Sequence, residues 1–193
     1  MKKINLLFLA AAVAGLMQSC SGSKASSASD SSATKTDSTT MTAKTDSGST
    51  ALGDTAFANK AAIGGMAEVA LGKMAAAKAA SASVKDFGSM MVMDHGKANA
   101  ELMGIAQKKN ITLPAGLDAE HQAKSDSLSK LSGKDFDKAY VNGMIEDHKK
   151  TLALMQAEAQ SGTDPELKAF AAKTAPVVQA HLDKITKIQA GLK

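Results

Sequence analysis

Apolar side chains recur every three or four residues in four separate stretches of this chain, and no window alternates in the two-residue rhythm of a strand. The first stripe runs Phe57, Ala61, Gly64, Glu68, Leu71, Ala75, and the second Phe87, Met91, His95, Ala98, Leu102, Ile105. The third runs Phe136, Tyr140, Met144, His148, Leu152, Met155, and the fourth Phe170, Thr174, Val177, His181, Ile185, Ile188. This spacing predicts helices over residues 56–81, 84–109, 134–161 and 165–190. The punctuation agrees. Ser83-Val84-Lys85-Asp86 and Ser132-Gly133-Lys134-Asp135 fit the capping-box pattern, and Asp164-Pro165 reads as an N-cap followed by proline at the first helical position. Short links at 81–83 and 162–164 make each flanking pair antiparallel. About two dozen residues, with Pro114, Gly116 and a short helix expected over 118–130, join helices 2 and 3. A crossover of that length lets helices 2 and 3 run parallel. The expected fold is therefore all-α, a ferritin-like four-helix bundle with one long crossover that carries a short extra helix.

Each stripe is interrupted near its middle by one ionisable residue, Glu68, His95, His148 or His181. Glu68 lies 14 residues before Ala82 and His95 lies 13 after it. At about 1.5 Å per residue both sit roughly 20 Å from that turn, at one level. His148 lies 15 residues before Thr163 and His181 lies 18 after it, a looser match of about 4–5 Å. The four could converge in a single layer. Two of the histidines also belong to a repeat. Met91-Val92-Met93-Asp94-His95-Gly96-Lys97 returns as Met144-Ile145-Glu146-Asp147-His148-Lys149-Lys150, with Lys85-Asp86-Phe87 and Lys134-Asp135-Phe136 upstream. In each copy the histidine takes the core position with Met91 or Met144 one turn earlier. Asp94 and Asp147 are rotated by about 100° and flank the stripe.

Such a layer has two readings. A closed Glu–His network would fix helix register, because unsatisfied polar groups in a core are costly. Alternatively, three imidazoles and one carboxylate would hold a single zinc or iron ion, and the Met91/His95 and Met144/His148 pairs would also suit copper(I). Dinuclear iron chemistry needs a Glu-x-x-His pair on each of two helices. The residues three before His95 and His148 are Val92 and Ile145, so a ferroxidase is not expected. His121, with Leu117 and Leu128 on its helical face, reads as a cap or packing residue. Tyr140 reads as a core aromatic whose hydroxyl finds a partner. Pro176 should bend helix 4. No Gly-rich phosphate loop and no serine–histidine–acid order is present, and nothing demands an enzyme. The functional candidates are a metal- or ligand-binding module, a structural or stress-protection module, and a metalloenzyme.

Composition narrows the partners. The chain has no arginine and no tryptophan, so it lacks the guanidinium forks and stacking rings of nucleic-acid readers, and no nucleic-acid partner is expected. Residues 56–193 carry 18 Lys against 15 acidic residues, a near-balanced surface of one domain's length. The N-terminal region differs in kind. Lys2 and Lys3 precede an apolar run from Leu6 to Leu16, too short to span a bilayer. Leu16-Met17-Gln18-Ser19-Cys20 resembles a bacterial lipobox, which implies a signal peptide over 1–19, cleavage before Cys20 and lipidation of that residue. The membrane is then a partner through the lipid, and no free thiol remains for a disulfide or thiolate site. Residues 21–55 hold ten Ser and eight Thr, with Met41 and Leu52 as the only large apolar side chains. Residues 20–55 are thus expected to form a disordered tether, holding the domain about 30–35 Å from its anchor. Asp37-Ser38-Thr39 and Asp54-Thr55-Ala56 resemble a short O-glycan acceptor pattern. Ser21 after Cys20, with no acidic run behind it, resembles lipoproteins on the periplasmic side of the outer membrane.

A broader likeness joins these motifs. Ile63-Gly64-Gly65-Met66-Ala67-Glu68-Val69-Ala70-Leu71-Gly72-Lys73, Val84-Lys85-Asp86-Phe87-Gly88, Asp94-His95, Leu113-Pro114 and His121-Gln122 resemble the secreted bacterial domain of unknown function 4142 family. The likeness continues through Leu131-Ser132-Gly133, Phe136-Asp137, Tyr140, Asp147-His148, Leu167-Lys168-Ala169-Phe170-Ala171 and His181-Leu182, covering nearly all of residues 56–185. The resemblance implies a ferritin-like fold and a place among predicted outer membrane proteins. It implies no agreed activity.

Overall fold

A computed structural model describes residues 53–192; the expected signal peptide, Cys20 and nearly all of the expected tether lie outside them. Five helices follow in order, α1 (Asp54–Lys78), α2 (Ala82–Lys108), α3 (Ala119–Ser129), α4 (Gly133–Ser161) and α5 (Pro165–Gly191). Among the described residues there is no strand, only an isolated bridge between Ala79 and Gly133. The described residues are all-helical, as their periodicity predicts. Helix α1 begins at Asp54, so Asp54 and Thr55 belong to the helix instead of the tether.

The helix ends depart from the local signals. Asp164 does cap α5, accepting from the Glu166 and Leu167 amides at 3.0 Å each. Neither capping box forms. Ser81 and Ser132 stand at the N-caps of α2 and α4 without a side-chain cap bond. Gly133 enters α4 at φ +58°, a left-handed step that glycine takes without steric cost. Tertiary acceptors replace the local ones. Asp137 of α4 takes the Ala80 amide at 3.0 Å and the Ser81 amide at 2.7 Å. Asp54 of α1 takes the Thr163 amide at 2.9 Å, the Asp164 amide at 3.0 Å and the Thr163 hydroxyl. Each hairpin link is therefore tied down by a carboxylate from the other hairpin, which satisfies amides left without helical partners.

Helix α1 packs chiefly on α2 and α4 chiefly on α5, while α1 also meets α4 and α2 meets α5. The order around the core is α1, α2, α5, α4, which sets α2 and α4 across from one another, and α3 lies against α1 and α4. The two copies of the M-x-x-D-H-x-K repeat thus face each other over the core. The α1–α2 contact is close because two glycines meet. A Cβ on Gly72 would lie 2.7 Å from the Gly88 carbonyl oxygen, and one on Gly88 2.6 Å from that of Gly72.

Two stripe positions shift. Of the Gly64–Gly65 pair on α1 it is Gly65 that is buried, set against the Asn99 amide, while Gly64 faces open space. On α5 Val178 is fully buried and Val177 is 42 % exposed. The inward line follows the three–four alternation Ala171, Thr174, Val178, His181, Ile185, and Val177 falls to its flank. Pro176 lies within α5 on the exposed side. The carbonyl that it frees, on exposed Ala172, therefore meets water.

The apolar core is in two parts. One is built around Leu71, Phe87, Met91, Tyr140, Met144 and Ile185, and the other around Phe57, Leu102, Ile105, Met155, Leu167 and Phe170. Along each long helix the ionisable residue of the stripe falls between its contributions to the two clusters.

Candidate metal centre

The four stripe residues are all buried: Glu68 of α1 is 2 % exposed, His95 of α2 5 %, His148 of α4 0 % and His181 of α5 3 %. The three rings form a near-regular triangle, with centroids 5.7 Å apart for His95–His148, 5.3 Å for His95–His181 and 5.6 Å for His148–His181. One ring nitrogen from each lies within 4.8 Å of the other two. The looser depth match foreseen for His148 and His181 does not separate them.

Partners fix the tautomers. His148 Nδ1 donates to the Met144 carbonyl at 2.8 Å, which leaves Nε2 with its lone pair. His181 Nε2 donates to Asp94 Oδ2 at 3.1 Å, which leaves Nδ1. His95 Nδ1 lies 2.8 Å from Glu68 Oε2, and His148 Nδ1 lies 3.4 Å from Glu68 Oε1. Both are ion-pair contacts of one buried carboxylate with two rings. His95 Nε2, His148 Nε2 and His181 Nδ1 are buried without any partner among the described residues.

The charges divide within the layer. Burial, the largest influence on His148, pushes its pKa down, as it does for His181, which falls to about 4 despite the Asp94 bond. Both rings are neutral near pH 7. Burial also pulls His95 down, but the adjacent Glu68 and Asp94 together lift it above its ordinary value. Burial raises Glu68, and the three histidines, His95 foremost, more than offset that and hold it low. The shifts favour a charged Glu68–His95 pair beside two neutral imidazoles.

Phe87 closes one side, its ring 6.0 Å from His148 and 6.4 Å from His181. Tyr140 is fully buried, but its hydroxyl has no partner among the described residues, contrary to the sequence expectation. Burial, with the Glu68 charge next, raises its pKa. Met91 and Met144 are fully buried within the first apolar cluster. Glu68 stands outside the three-nitrogen group, on the Nδ1 side of His95. His121 is not itself a cap: Asp118 caps α3, its Oδ1 accepting the His121 amide at 2.9 Å and lying 2.6 Å from His121 Nδ1.

Sequence reasoning missed Asp94 as a partner. Its signal was the repeated Asp-His pair: one residue before the inward histidine, the aspartate turns toward the neighbouring helix, where His181 stands. On α4 the matching Asp147 meets Lys124 of α3 at 2.5 Å, since Glu68 occupies the neighbouring helix there and cannot donate.

A metal fits this donor set. Orphaned buried polar atoms are rare in proteins, and here three unprotonated or readily deprotonated imidazole nitrogens gather with a carboxylate behind one of them. An ion at about 2.0–2.1 Å from each nitrogen would draw the rings slightly together, a rotamer-scale adjustment.

Two solved structures share the fold. The crystal structure of a DUF305 fragment from Deinococcus radiodurans matches with a TM-score of 0.65 and 12 % identity, over 72 % of this chain and 96 % of that one. CopM in the Cu(II)-bound form matches with a TM-score of 0.64 and 16 % identity, over 74 % of this chain and 99 % of that one. Identities this low speak to the helical fold alone. No curated protein sequence matches the chain. The domain of unknown function DUF4142 matches residues 37–188, most of the chain, and the chain belongs to that family.

Proposed function

We propose that this domain binds one divalent transition-metal ion through His95 Nε2, His148 Nε2 and His181 Nδ1. Binding would displace the Nε2 proton of His95 to solvent, and the Glu68 carboxylate would balance part of the ion's charge. One observation carries this reading: three buried imidazole nitrogens on three helices lack partners while standing within 4.8 Å of one another. A purely structural network would be closed, each buried polar atom answered by another. Here half of each ring is anchored, by Met144 or Asp94 in two cases and beside Glu68 in the third, and the other half is left free. Imidazole donors suit zinc, iron and copper, and the Irving–Williams order favours copper(II) among them. A protein of similar fold carrying Cu(II) adds weight to copper beside the zinc or iron that the donor count suggests. A single carboxylate within the layer gives no support for dinuclear iron oxidation, so the role is binding or buffering of the ion.

The wider reading is of a ferritin-like bundle, the four long helices sharing one core, anchored to the bacterial envelope by lipid on Cys20 and facing the periplasm from the outer membrane. The lipobox-like Leu16–Cys20 segment and the Ser/Thr-rich stretch after it support that placement. Elemental analysis tests the metal: the full chain is isolated from its native cells without chelator or affinity tag, as wild type and as His95→Ala/His148→Ala. Near-stoichiometric metal in the wild type, lost in the variant with helix content intact, is the expected result. Equal, sub-stoichiometric metal in both would refute binding and leave a structural layer. For the anchor, Cys20→Ser should abolish lipid-dependent partition into detergent.

A further inference from the structure

Two cavities touch the layer among the described residues. One, of about 30 Å³, is bounded by Glu68, His95 and Asn99 and is little larger than a water. The other is a cleft of about 400 Å³ between α1, α3 and α4, with Glu68 on its inner wall. Four carboxylates line this cleft, Glu68, Asp118, Glu120 and Asp147, against Lys60 and Lys150. The balance favours a cation.

Two further features point to a ligand. Glu68 is 2 % exposed, neither of its oxygens accepts a hydrogen bond from the described residues, and the residue lines the cleft. His121 also lines the cleft. Its Nδ1 is engaged by Asp118 at 2.6 Å, the carboxylate–histidine arrangement that leaves Nε2 as the metal-facing nitrogen.

Building on the metal reading above, we propose that this cleft is the route of ion capture. His121 Nε2 takes a hydrated divalent cation at the mouth, the Glu68 carboxylate receives it at the floor, and the three imidazoles bind it beyond. Glu68 suits the transfer because it touches both compartments: the cleft on one side and His95 Nδ1, 2.8 Å away, on the other. Asp147, held at 2.5 Å by Lys124 of α3, keeps the short helix seated over α4 and so maintains the wall that carries His121.

Gly64 offers a clean test. It lines the cleft one turn before Glu68, and a Cβ there meets nothing within 4 Å. Gly64→Phe should obstruct the cleft without disturbing the core. The experiment measures Zn²⁺ transfer from a chromophoric chelator to the apo-protein in the full chain, for wild type, Gly64→Phe, His121→Ala and Gly143→Phe. Gly143 is a second open helical glycine, outside the cleft. Association should slow at least tenfold in Gly64→Phe and several-fold in His121→Ala, with stoichiometry and equilibrium affinity within twofold of wild type, and Gly143→Phe should match wild type. Unchanged rates in both cleft variants with binding intact would overturn the cleft route and leave the metal site standing. Equal slowing by Gly143→Phe would overturn it too. Wild type that takes up no Zn²⁺ would remove both.

Discussion

His148 is fully buried, donates one nitrogen to a carbonyl of its own helix, and leaves the other without a partner. At this scale the chemistry rests on such half-satisfied side chains. Asp94 decides which nitrogen of His181 is free, so Asp94→Ala should lower metal affinity by about 10–100-fold, as loss of a ligand's supporting carboxylate commonly does. Isothermal titration with Zn²⁺ measures this, and an unchanged affinity would show that the tautomer is set otherwise. Tyr140 carries the opposite lesson. Its hydroxyl is buried without a partner, so Tyr140→Phe should leave stability unchanged or raise it by about 1 kcal/mol in urea unfolding of the metal-free protein. A loss above about 2 kcal/mol would reveal a hidden partner. Glu68, His95, His148 and His181 were legible from helical spacing, because each occupies a core position in its own stripe. The Asp94–His181 bond was not, because it spans α2 and α5 and depends on which helices are neighbours.

At the scale of the helix, local signals predict where elements lie and tertiary contacts decide how they end. The expected and observed helices differ by at most three residues at any boundary, yet at the start of α2 the expected Ser83 box gives way to Asp137 of α4, which takes the Ala80 and Ser81 amides. A carboxylate that accepts two amides at once outcompetes a serine hydroxyl that accepts one. The glycines separate two roles that sequence alone treats alike. Gly72→Ala should destabilise the protein by about 1–3 kcal/mol, since its methyl would push against the α2 backbone. Gly64→Ala, with open space, should stabilise by up to about 1 kcal/mol through helix propensity. Chemical unfolding of the two variants side by side tests the assignment, and similar effects would contradict the close α1–α2 contact.

At the scale of the helical domain, a second buried acid stands near the α4–α5 link, away from the mid-bundle histidines. Glu158 of α4 is 3 % exposed beside Asp54, and its pKa rises to about 7, first through burial and then through the Asp54 charge. Its ordinary value is 4.5, so between pH 4.5 and 7 the folded state holds a proton that the unfolded chain has lost. The stabilising contribution is complete below about pH 4.5 and fades as pH climbs through 7. Allowing for water at this turn, the loss is about 1–2 kcal/mol. Thermal unfolding of wild type against Glu158→Gln across pH 5–8 should show a falling midpoint that the variant flattens; parallel profiles would exclude the Asp54–Glu158 pair as the cause.

The amino-acid pattern by itself determined the helical class, the approximate extent of each helix and the four ionisable residues that face inward. Those properties follow from periodicity along a single helix, which every sequence carries openly. Only the tertiary structure decided that Val178 and not Val177 faces the core, that aspartates from the opposite hairpin tie both links, and that Asp94 orients His181. It also decided which nitrogen of each ring is left free and that the cleft under α3 reaches Glu68. These depend on distances between helices, set by the close meeting of Gly72 and Gly88 and by the order α1, α2, α5, α4 around the core. No one-dimensional period encodes that order.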